Sequence, residues 1–302
     1  MNYILYNPKA NNENNDLNII TVGEESERMA VEKINLLELD VHAFCERLTA
    51  DDRVLIVGGD GTLHHFANNS YGVDFPCKVC VLRSGTGNDF LNDIGQLDNE
   101  SLIDIRPYLK GLPKVCVNGN ERYFINGVGL GVDGAVCHGV EDYKRTHPNK
   151  KANYTVIALK ELGFNYKRPT GRVIVDGVVH EYTDIWAMST MWGKYYGGGM
   201  MIAPGQSRES GKVSVMAMHS GSRLKTLSVF TKVKKGAHVK HTEMVDIFEG
   251  YDVKVEFDSP CDLQIDGEVV MGVTEYRVLC EKAPTSISKA EESCETAEPA
   301  TV

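Results

Sequence analysis

A stretch of ten residues, Arg53 to Thr62, constrains the fold more than any other part of the sequence. Its first half contains residues 54–57, an unbroken apolar run that is typical of a short strand buried on both faces. The run ends at Gly58 and Gly59, where the backbone can adopt positive φ and no side chain projects. The pattern therefore predicts a central strand that ends in an open glycine turn.

A helix is predicted to begin at the end of this turn. Asp60 and Gly61 are followed by Thr62, a residue type that caps helix N-termini well. The helix is expected to carry three apolar residues inward: Leu63, Phe66 and Ala67. A strand, a glycine turn and a helix N-terminus in this order direct several backbone N–H groups at one point, which suits phosphate. The alternative is an ordinary tight turn between a strand and a helix.

A second glycine-rich turn follows the next predicted strand, residues 78–82. This turn reads Arg83-Ser84-Gly85-Thr86-Gly87-Asn88-Asp89-Phe90. Two strands that each end in a turn of Gly, Thr and Asp and then open a helix suit neighbouring parallel strands of an α/β layer. Ligands bind outside the carboxyl ends of such strands. We therefore expect the two turns to lie side by side.

Composition and charge exclude several classes of protein. The chain has 302 residues, of which 42% are hydrophobic and 25% charged, as in a soluble globular protein. Its formal net charge of -10 argues against nonspecific nucleic-acid binding, which needs a basic surface. No apolar stretch approaches the ~20 residues that a membrane-spanning helix needs. The start of the chain also lacks the basic and apolar segments of a secretory signal.

The eight cysteines are scattered and do not form a disulfide framework. Cys77 and Cys80 have CxxC spacing, but no second pair follows, and an odd separation in a strand places them on opposite faces. Two buried thiols are the favoured interpretation. We infer a reducing, cytoplasmic setting.

The rest of the chain divides at about residue 110. Before it, we predict a strand at 3–6, a helix at 24–32, a strand at 34–39 and a helix at 41–48. After it, strands are predicted at 114–117, 122–126, 171–175, 178–182, 185–189, 212–218, 252–257, 263–265 and 276–280. Helices are predicted at 135–146, 153–164 and 223–235. This second part is therefore expected to be a mainly antiparallel β domain with helical insertions.

Several motifs have a structural and a functional interpretation. Residues 129–134 match GxGxxG, but no acidic strand end follows about 20 residues later, so a close-packed glycine turn is favoured over a dinucleotide site. Asp176-Gly177 and Asp266-Gly267 are both hairpin turn signals. Only the second is followed by another carboxylate, Glu268. Residues 197–204 are glycine-rich, which fits either a hairpin tip or close approach of a ligand.

A basic run lies in this otherwise acidic chain, and most such runs form a solvated helix face. It could also contact anionic lipid headgroups, at about 1 kcal/mol per basic residue. Its members are Lys232, Lys234, Lys235, His238, Lys240 and His241.

In its motifs and their order the chain resembles bacterial lipid kinases of the diacylglycerol kinase type, over roughly residues 3–285. The motifs are Gly58-Gly59-Asp60-Gly61-Thr62, Ser84-Gly85-Thr86-Gly87-Asn88-Asp89-Phe90, Asn126-Gly127 to Asp133, Gly197-Gly198-Gly199-Met200 to Pro204, and Asp266-Gly267-Glu268. The GGDGT turn is also shared with sphingosine, ceramide and NAD kinases. The TGND turn points to the lipid kinases.

The resemblance implies an α/β nucleotide-binding domain over residues 1–112 and a β-sandwich domain over residues 113–280, with ATP in the cleft between them. Residues 281–288 are a candidate for completing the first domain, and residues 289–302 are expected to be a disordered acidic tail. The expected partners are a lipid substrate and, transiently, an anionic membrane surface, with no nucleic acid. Related enzymes are often homodimers.

The resemblance also implies roles for particular residues. Mg²⁺-ATP would be held by Asp60 and Asp89, directly or through water. The base that accepts the proton of the acceptor hydroxyl would come from Asp266 or Glu268, with Glu268 preferred. The nucleotide site would be lined by Asn7, Gly58, Gly59, Asp60, Gly61, Thr62, Gly85, Thr86, Asn88 and Asp89.

Departures from the family pattern keep alternatives open. Ser210-Gly211 stands where the family has Asp-Gly, which removes a carboxylate associated with a structural Mg²⁺. His64 replaces a usual Asn and Asn92 a usual Arg. The alternatives are a kinase of a soluble acceptor such as NAD, and a non-catalytic nucleotide-binding regulator.

Overall fold

The computed structural model describes residues 1–8, 31–83, 87–96, 102–147, 154–162 and 166–281. The chain divides into two compact units, Met1–Lys110 and Gly111–Val302. The predicted helix at 24–32 lies outside the described residues, except that residues 31 and 32 begin a strand. The predicted tail at 289–302 also lies outside them.

The first unit is an α/β layer around a five-stranded sheet in the order β2-β1-β3-β4-β5. Strands β1 to β4 are parallel, and β5 runs antiparallel to β4. The strands are β1 (Asn2–Tyr6), β2 (Val31–Asn35), β3 (Arg53–Gly58), β4 (Lys78–Arg83) and β5 (Ile103–Asp104). The helices are α1 (Val41–Cys45), α2 (Asp60–Asn69) and α3 (Asp89–Asp93), with 3-10 turns at Leu36–Glu38 and Arg106–Leu109.

The prediction of a central buried strand is confirmed. Val54, Leu55 and Ile56 are buried, and β3 lies between β1 and β4. Cys77 and Cys80 are both buried free thiols, also as predicted. The predicted strand at 34–39 is wrong in its bounds. It ends at Asn35, because the Asn35 side chain accepts the Leu37 N–H at 3.1 Å and starts a 3-10 turn.

The second unit is built on an antiparallel sheet in the order β15-β14-β11-β8-β16-β17-β6-β7, with β9 joining β16 to β10. The strands are β6 (Lys114–Val117), β7 (Asn120–Tyr123), β8 (Gly127–Gly131), β9 (Gly171–Val175), β10 (Val178–Tyr182), β11 (Ile185–Met191), β12 (Tyr195–Tyr196), β13 (Met200–Met201), β14 (Val213–His219), β15 (Val245–Gly250), β16 (Asp252–Ile265) and β17 (Glu268–Leu279). The helices are α4 (Val132–Thr146), α5 (Tyr154–Lys160) and α6 (Arg223–Phe230), with 3-10 turns at Arg208–Ser210, Val233–Lys235 and Ala237–Lys240.

Packing in the second unit overrides several local signals. The glycine-rich residues 127–131 form β8, a buried strand between β11 and β16, where the sequence indicated only a turn. A side chain at Gly134 would collide with the Asp262 backbone, so glycine lets α4 approach β16. The close-packed interpretation of GxGxxG therefore holds. The strands predicted at 252–257 and 263–265 are one strand, β16, which is interrupted by register shifts near Cys261.

Both Asp-Gly pairs form the predicted two-residue hairpins. Asp176 and Gly177 have φ of 49° and 86° and join β9 to β10, and Asp266 and Gly267 have φ of 47° and 93° and join β16 to β17. Positive φ at both central residues is the signature of a type I′ turn. Among the described residues, no helix is long and apolar enough to cross a membrane.

Candidate functional site

The predicted phosphate turn lies at the carboxyl edge of the first unit's sheet. Tyr6 is in register with Val57, and Gly58 with Arg83. Asn7 and the Gly58–Gly59 turn therefore leave the sheet at the same edge, as does the chain after Arg83. Two predicted site residues in that following turn, Gly85 and Thr86, lie outside the described residues.

The first turn differs from its prediction at one position. Helix α2 begins at Asp60 with Gly59 as its N-cap, and the Gly59 carbonyl accepts N–H groups from Thr62 at 3.0 Å and Leu63 at 3.1 Å. Thr62 is therefore the third helical residue and not the cap. Its buried side chain fills the space where a Gly58 side chain would collide with it. Gly61 is exposed, and a side chain there would meet no described residue within 4 Å apart from the neighbouring backbone of its own helix.

Asp60 connects the two turns. Its Oδ2 accepts the Asp89 N–H at 2.9 Å and its Oδ1 accepts the Phe90 N–H at 2.9 Å. A carboxylate that receives the first N–H groups of a helix is stabilised by the orphan donors and by the helix dipole. Asp60 therefore fixes the start of α3 to the start of α2.

Asn88, the residue just before α3, has a backbone conformation that few side chains tolerate. Asn88 is 2% exposed and has φ of 53° in the left-handed region, which Asn adopts more readily than most residues. The Asp89 side chain follows and is 4% exposed. Two predicted site residues, Asn88 and Asp89, are thus enclosed beside the Asp60 carboxylate.

In the second unit, Asp266 is a backbone clamp. Its carboxylate accepts N–H groups from Ile125 at 2.7 Å, Asn126 at 2.9 Å and Gly127 at 2.9 Å. Three backbone donors occupy much of the accepting capacity of a carboxylate. Asp266 therefore holds the segment that leads into β8, a role that the hairpin pattern alone did not indicate.

Glu268 has a different environment, although it is two residues away. Its Oε2 lies 3.1 Å from Nη1 of Arg122, and 52% of the side chain is exposed. The carboxylate is reachable from solvent and is steered by one guanidinium group. The second unit thus presents, at the same hairpin, one carboxylate bonded to three backbone N–H groups and one exposed carboxylate.

Sequence reasoning missed Arg208, which binds the same segment as Asp266. Its guanidinium donates to the Ile125 carbonyl at 2.6 Å and to Oδ1 of Asn126 at 3.3 Å. The Asn126 carbonyl in turn accepts N–H groups from Trp192 and Gly193. The nearby glycine-rich residues 197–199 join β12 to β13, which confirms the hairpin-tip interpretation of this stretch.

A second missed group is a buried polar cluster at the start of α4. Ser189 donates a hydrogen bond to Oδ2 of Asp133 at 2.5 Å, and the Ser189 and Tyr196 hydroxyls lie 3.1 Å apart. Burial raises the pKa of Asp133, an effect that hydrogen bonds from Ser189 and Tyr196 partly oppose. Its position in GxGxxG gave no sign of this role, because the partners come from β11 and β12.

The basic run does not form one surface. His238 is fully buried, its Nε2 lies 3.0 Å from the Ile202 carbonyl, and burial lowers its pKa. Lys232 lies with its Nζ 2.7 Å from Nε2 of His241. Exposed cations of the run remain at Lys234, Lys235 and Lys240.

Two family profiles match the chain. Residues 2–107 match the diacylglycerol kinase catalytic domain, and residues 126–288 match the YegS C-terminal NAD kinase beta sandwich-like domain. The first match contains both glycine turns. The second contains the Asp266 hairpin and covers more than half of the 302 residues.

Relatives agree with these profiles at low identity. The chain is 23% identical over 248 residues to "Putative lipid kinase YtlR" of Bacillus subtilis (strain 168), which covers 78% of this chain and 79% of the relative. It is 25% identical over 222 residues to the diacylglycerol kinase of the same strain, covering 72% and 71%.

A solved structure shares the fold. "Crystal structure of a putative diacylglycerol kinase from Bacillus anthracis str. Sterne" superposes with a TM-score of 0.66 at 16% identity, over 92% of this chain and 93% of that chain. At this identity the likeness bears on fold alone. The two profiles show that the chain belongs to the diacylglycerol kinase-like family of lipid kinases, a family of phosphotransferases.

Proposed function

We propose that this protein is an ATP-dependent lipid kinase that transfers the γ-phosphoryl group to a hydroxyl of a diacylglycerol-like acceptor. The Asp60 connection between the two turns carries the proposal. Phosphoryl transfer asks a protein mainly for positioning and for neutralisation of negative charge. Two turns that are fixed to each other at one sheet edge suit the first requirement.

The nucleotide would bind against the carboxyl edge of the first unit's sheet. The proposed lining residues are Asn7, Gly58, Gly59, Asp60, Gly61, Thr62, Gly85, Thr86, Asn88 and Asp89. Exposure of Gly61 at the N-terminus of α2 supports an approach of phosphate to the backbone there.

Asp60 and Asp89 are the proposed holders of the Mg²⁺ that accompanies ATP. The Asp60 carboxylate lies where α2 begins, and each of its oxygens accepts a backbone N–H from the start of α3. Carboxylates are suitable ligands for a hard cation. When bound, the cation would neutralise charge on the phosphate oxygens.

Glu268 is the proposed general base. It is accessible, whereas Asp266 is committed to three backbone N–H groups. Glu268 would accept the proton of the acceptor hydroxyl as that oxygen bonds to the γ-phosphorus. The bond from phosphorus to the bridging oxygen of ATP then breaks, and ADP leaves with its electron pair.

A lipid acceptor requires contact with a membrane surface. The exposed Lys234, Lys235 and Lys240 support peripheral, transient binding to anionic lipid through long-range attraction. Such binding should weaken as salt rises.

The deciding experiment is phosphorylation with labelled ATP of a total lipid extract and, in parallel, of NAD, with each product identified by mass. We expect a labelled lipid whose mass is that of a diacylglycerol plus one phosphoryl group, and no labelled NADP. Detection of labelled NADP would show that the acceptor is the soluble molecule NAD and would contradict the lipid assignment. Binding of ATP without turnover on either panel would instead favour a nucleotide-binding regulator.

A further inference from the structure

The loop between β13 and β14 departs from the family pattern at Ser210. The resemblance implies a carboxylate there that helps to hold a structural Mg²⁺. The Ser210 hydroxyl donates instead to the Ser207 carbonyl at 2.8 Å and accepts the Lys212 N–H at 3.1 Å. Among the described residues, no three His, Cys, Asp or Glu side chains are grouped to hold a metal ion. The donor set of this loop does not fit the family's cation.

Gln206 occupies the middle of the same loop. The residue is 2% exposed, and its Nε2 lies 2.9 Å from the Lys212 carbonyl oxygen, 3.1 Å from that of Trp192 and 3.4 Å from that of Ser207. Its Oε1 accepts the Ser214 hydroxyl at 2.5 Å. Carbonyl oxygens can only accept hydrogen bonds, so the three carbonyls require the nitrogen of the amide to face them.

We infer that the Gln206 amide replaces the structural cation. Converging carbonyl oxygens are the neutral part of a hard-cation site, and they need a centre of positive charge between them. The Nε2 group supplies two hydrogens with partial positive charge at that centre, without a metal. The loop is therefore closed by a side-chain amide, and its order is independent of divalent cations.

The same loop supports the segment that Asp266 clamps. Arg208 leaves the loop to bind the Ile125 carbonyl, and Trp192, whose carbonyl faces the Gln206 amide, donates its N–H to the Asn126 carbonyl. Gln206 is thus linked through Trp192 to the same segment that Asp266 holds. This inference concerns the structure of the second unit and does not depend on the proposed lipid kinase activity.

The first test is thermal unfolding of the full chain without nucleotide, in excess EDTA or in millimolar MgCl₂. For the wild-type protein we expect the two Tm values to agree within about 1 °C, since no cation is lost. Gln206→Ala should lower Tm by about 5–10 °C in both buffers, because it removes the buried amide that donates to the Trp192 and Lys212 carbonyls and accepts the Ser214 hydroxyl. A wild-type Tm that falls in EDTA, or an unchanged Tm in Gln206→Ala, would overturn the inference.

The second test converts the loop to a cation site. In Gln206→Ala/Ser210→Asp, Mg²⁺ should raise Tm by at least about 3 °C, because the variant has a carboxylate facing a vacated set of carbonyls. Ser210→Asp alone should gain nothing from Mg²⁺, since the amide still fills the centre. The matched neutral control, Gln206→Ala/Ser210→Asn, should also gain nothing. Stabilisation by Mg²⁺ of Ser210→Asp alone, or none in the double variant, would contradict the assignment of Gln206 to the position of the cation.

Discussion

At the scale of single residues, hydrogen-bond partners separate three carboxylates that look alike in the sequence. Asp60 and Asp266 accept two and three backbone N–H groups, respectively. Glu268 is paired with one exposed guanidinium and keeps contact with solvent. Proton transfer needs an accessible carboxylate, whereas positioning of a loop needs a committed one.

Glu268→Gln should therefore reduce lipid phosphorylation by about 10²–10⁴-fold. Its Tm should stay within about 1 °C of the wild-type value, because the group is exposed and its ion pair with Arg122 lies at the surface. Single-turnover assays with labelled ATP, beside a thermal melt, would measure both. Wild-type turnover in this variant would show that Glu268 is not the general base.

Asp60→Ala should lose activity and also lose stability. Removal of its carboxylate leaves the Asp89 and Phe90 N–H groups without that acceptor, at a cost of about 1–3 kcal/mol. Asp60→Asn keeps one carbonyl oxygen and should cost less, so it serves as the matched variant. Urea unfolding and ATP turnover, measured on both variants, would test this order of stabilities. Equal stability of the two variants would contradict a stabilising role for the Asp60 hydrogen bonds to the start of α3.

At the scale of elements, the two Asp-Gly hairpins form a natural comparison. Each turn has the same backbone type, and each Asp also accepts backbone N–H groups from outside the turn. Oδ1 of Asp176 accepts those of Tyr251 and Asp252, both at 2.9 Å, whereas Asp266 holds the segment before β8. The hairpins thus share a stabilising device, but only the second lies beside Glu268.

Asp176→Ala and Asp266→Ala should each reduce the free energy of unfolding, by about 1–3 kcal/mol for the first and slightly more for the second, which loses a third hydrogen bond. Only Asp266→Ala should reduce turnover at temperatures where both variants are folded, because only it releases the segment next to the proposed base. Equal loss of turnover in the two variants would show that the effect is one of stability alone.

At the scale of the whole molecule, an exposed group of lysines lies on a protein whose net charge is negative. The chain carries a formal charge of -10, yet Lys234, Lys235 and Lys240 are exposed within a few residues of one another. A local cationic group can attract an anionic surface within a Debye length even on an acidic protein. Membrane association of this kind is a surface property and requires no spanning segment.

Lys234→Glu/Lys235→Glu should weaken binding to vesicles that contain anionic lipid by about tenfold or more, at about 1 kcal/mol lost per lysine. Wild-type binding should fall as salt rises. Lys144→Glu/Arg145→Glu, at the exposed end of α4, makes the same change in net charge and is the matched control. Cosedimentation would measure vesicle binding of the wild type and both variants. Equal weakening in the two variants would show that net charge alone, and not this group of lysines, governs binding.

The local features of this protein can be predicted from its residue pattern. Buried β3, the glycine turn after it and the two type I′ hairpins follow from residue types at fixed spacing, because strand burial and positive φ are properties of a few adjacent residues. The two-part division into an α/β layer and an antiparallel sheet followed from the same patterns, and the order of the motifs indicated the family.

Which polar side chains bind the backbone could not be predicted in this way, because it depends on how the chain folds. Asp60 meets α3, Asp266 meets the segment before β8, and Gln206 meets carbonyls from both sides of its loop. Some of these contacts join residues that are distant in the chain, and the others form only when a loop is folded. A local sequence pattern therefore does not encode them. The glycine strand β8 is a strand for the same reason, since its neighbours β11 and β16 supply the hydrogen bonds.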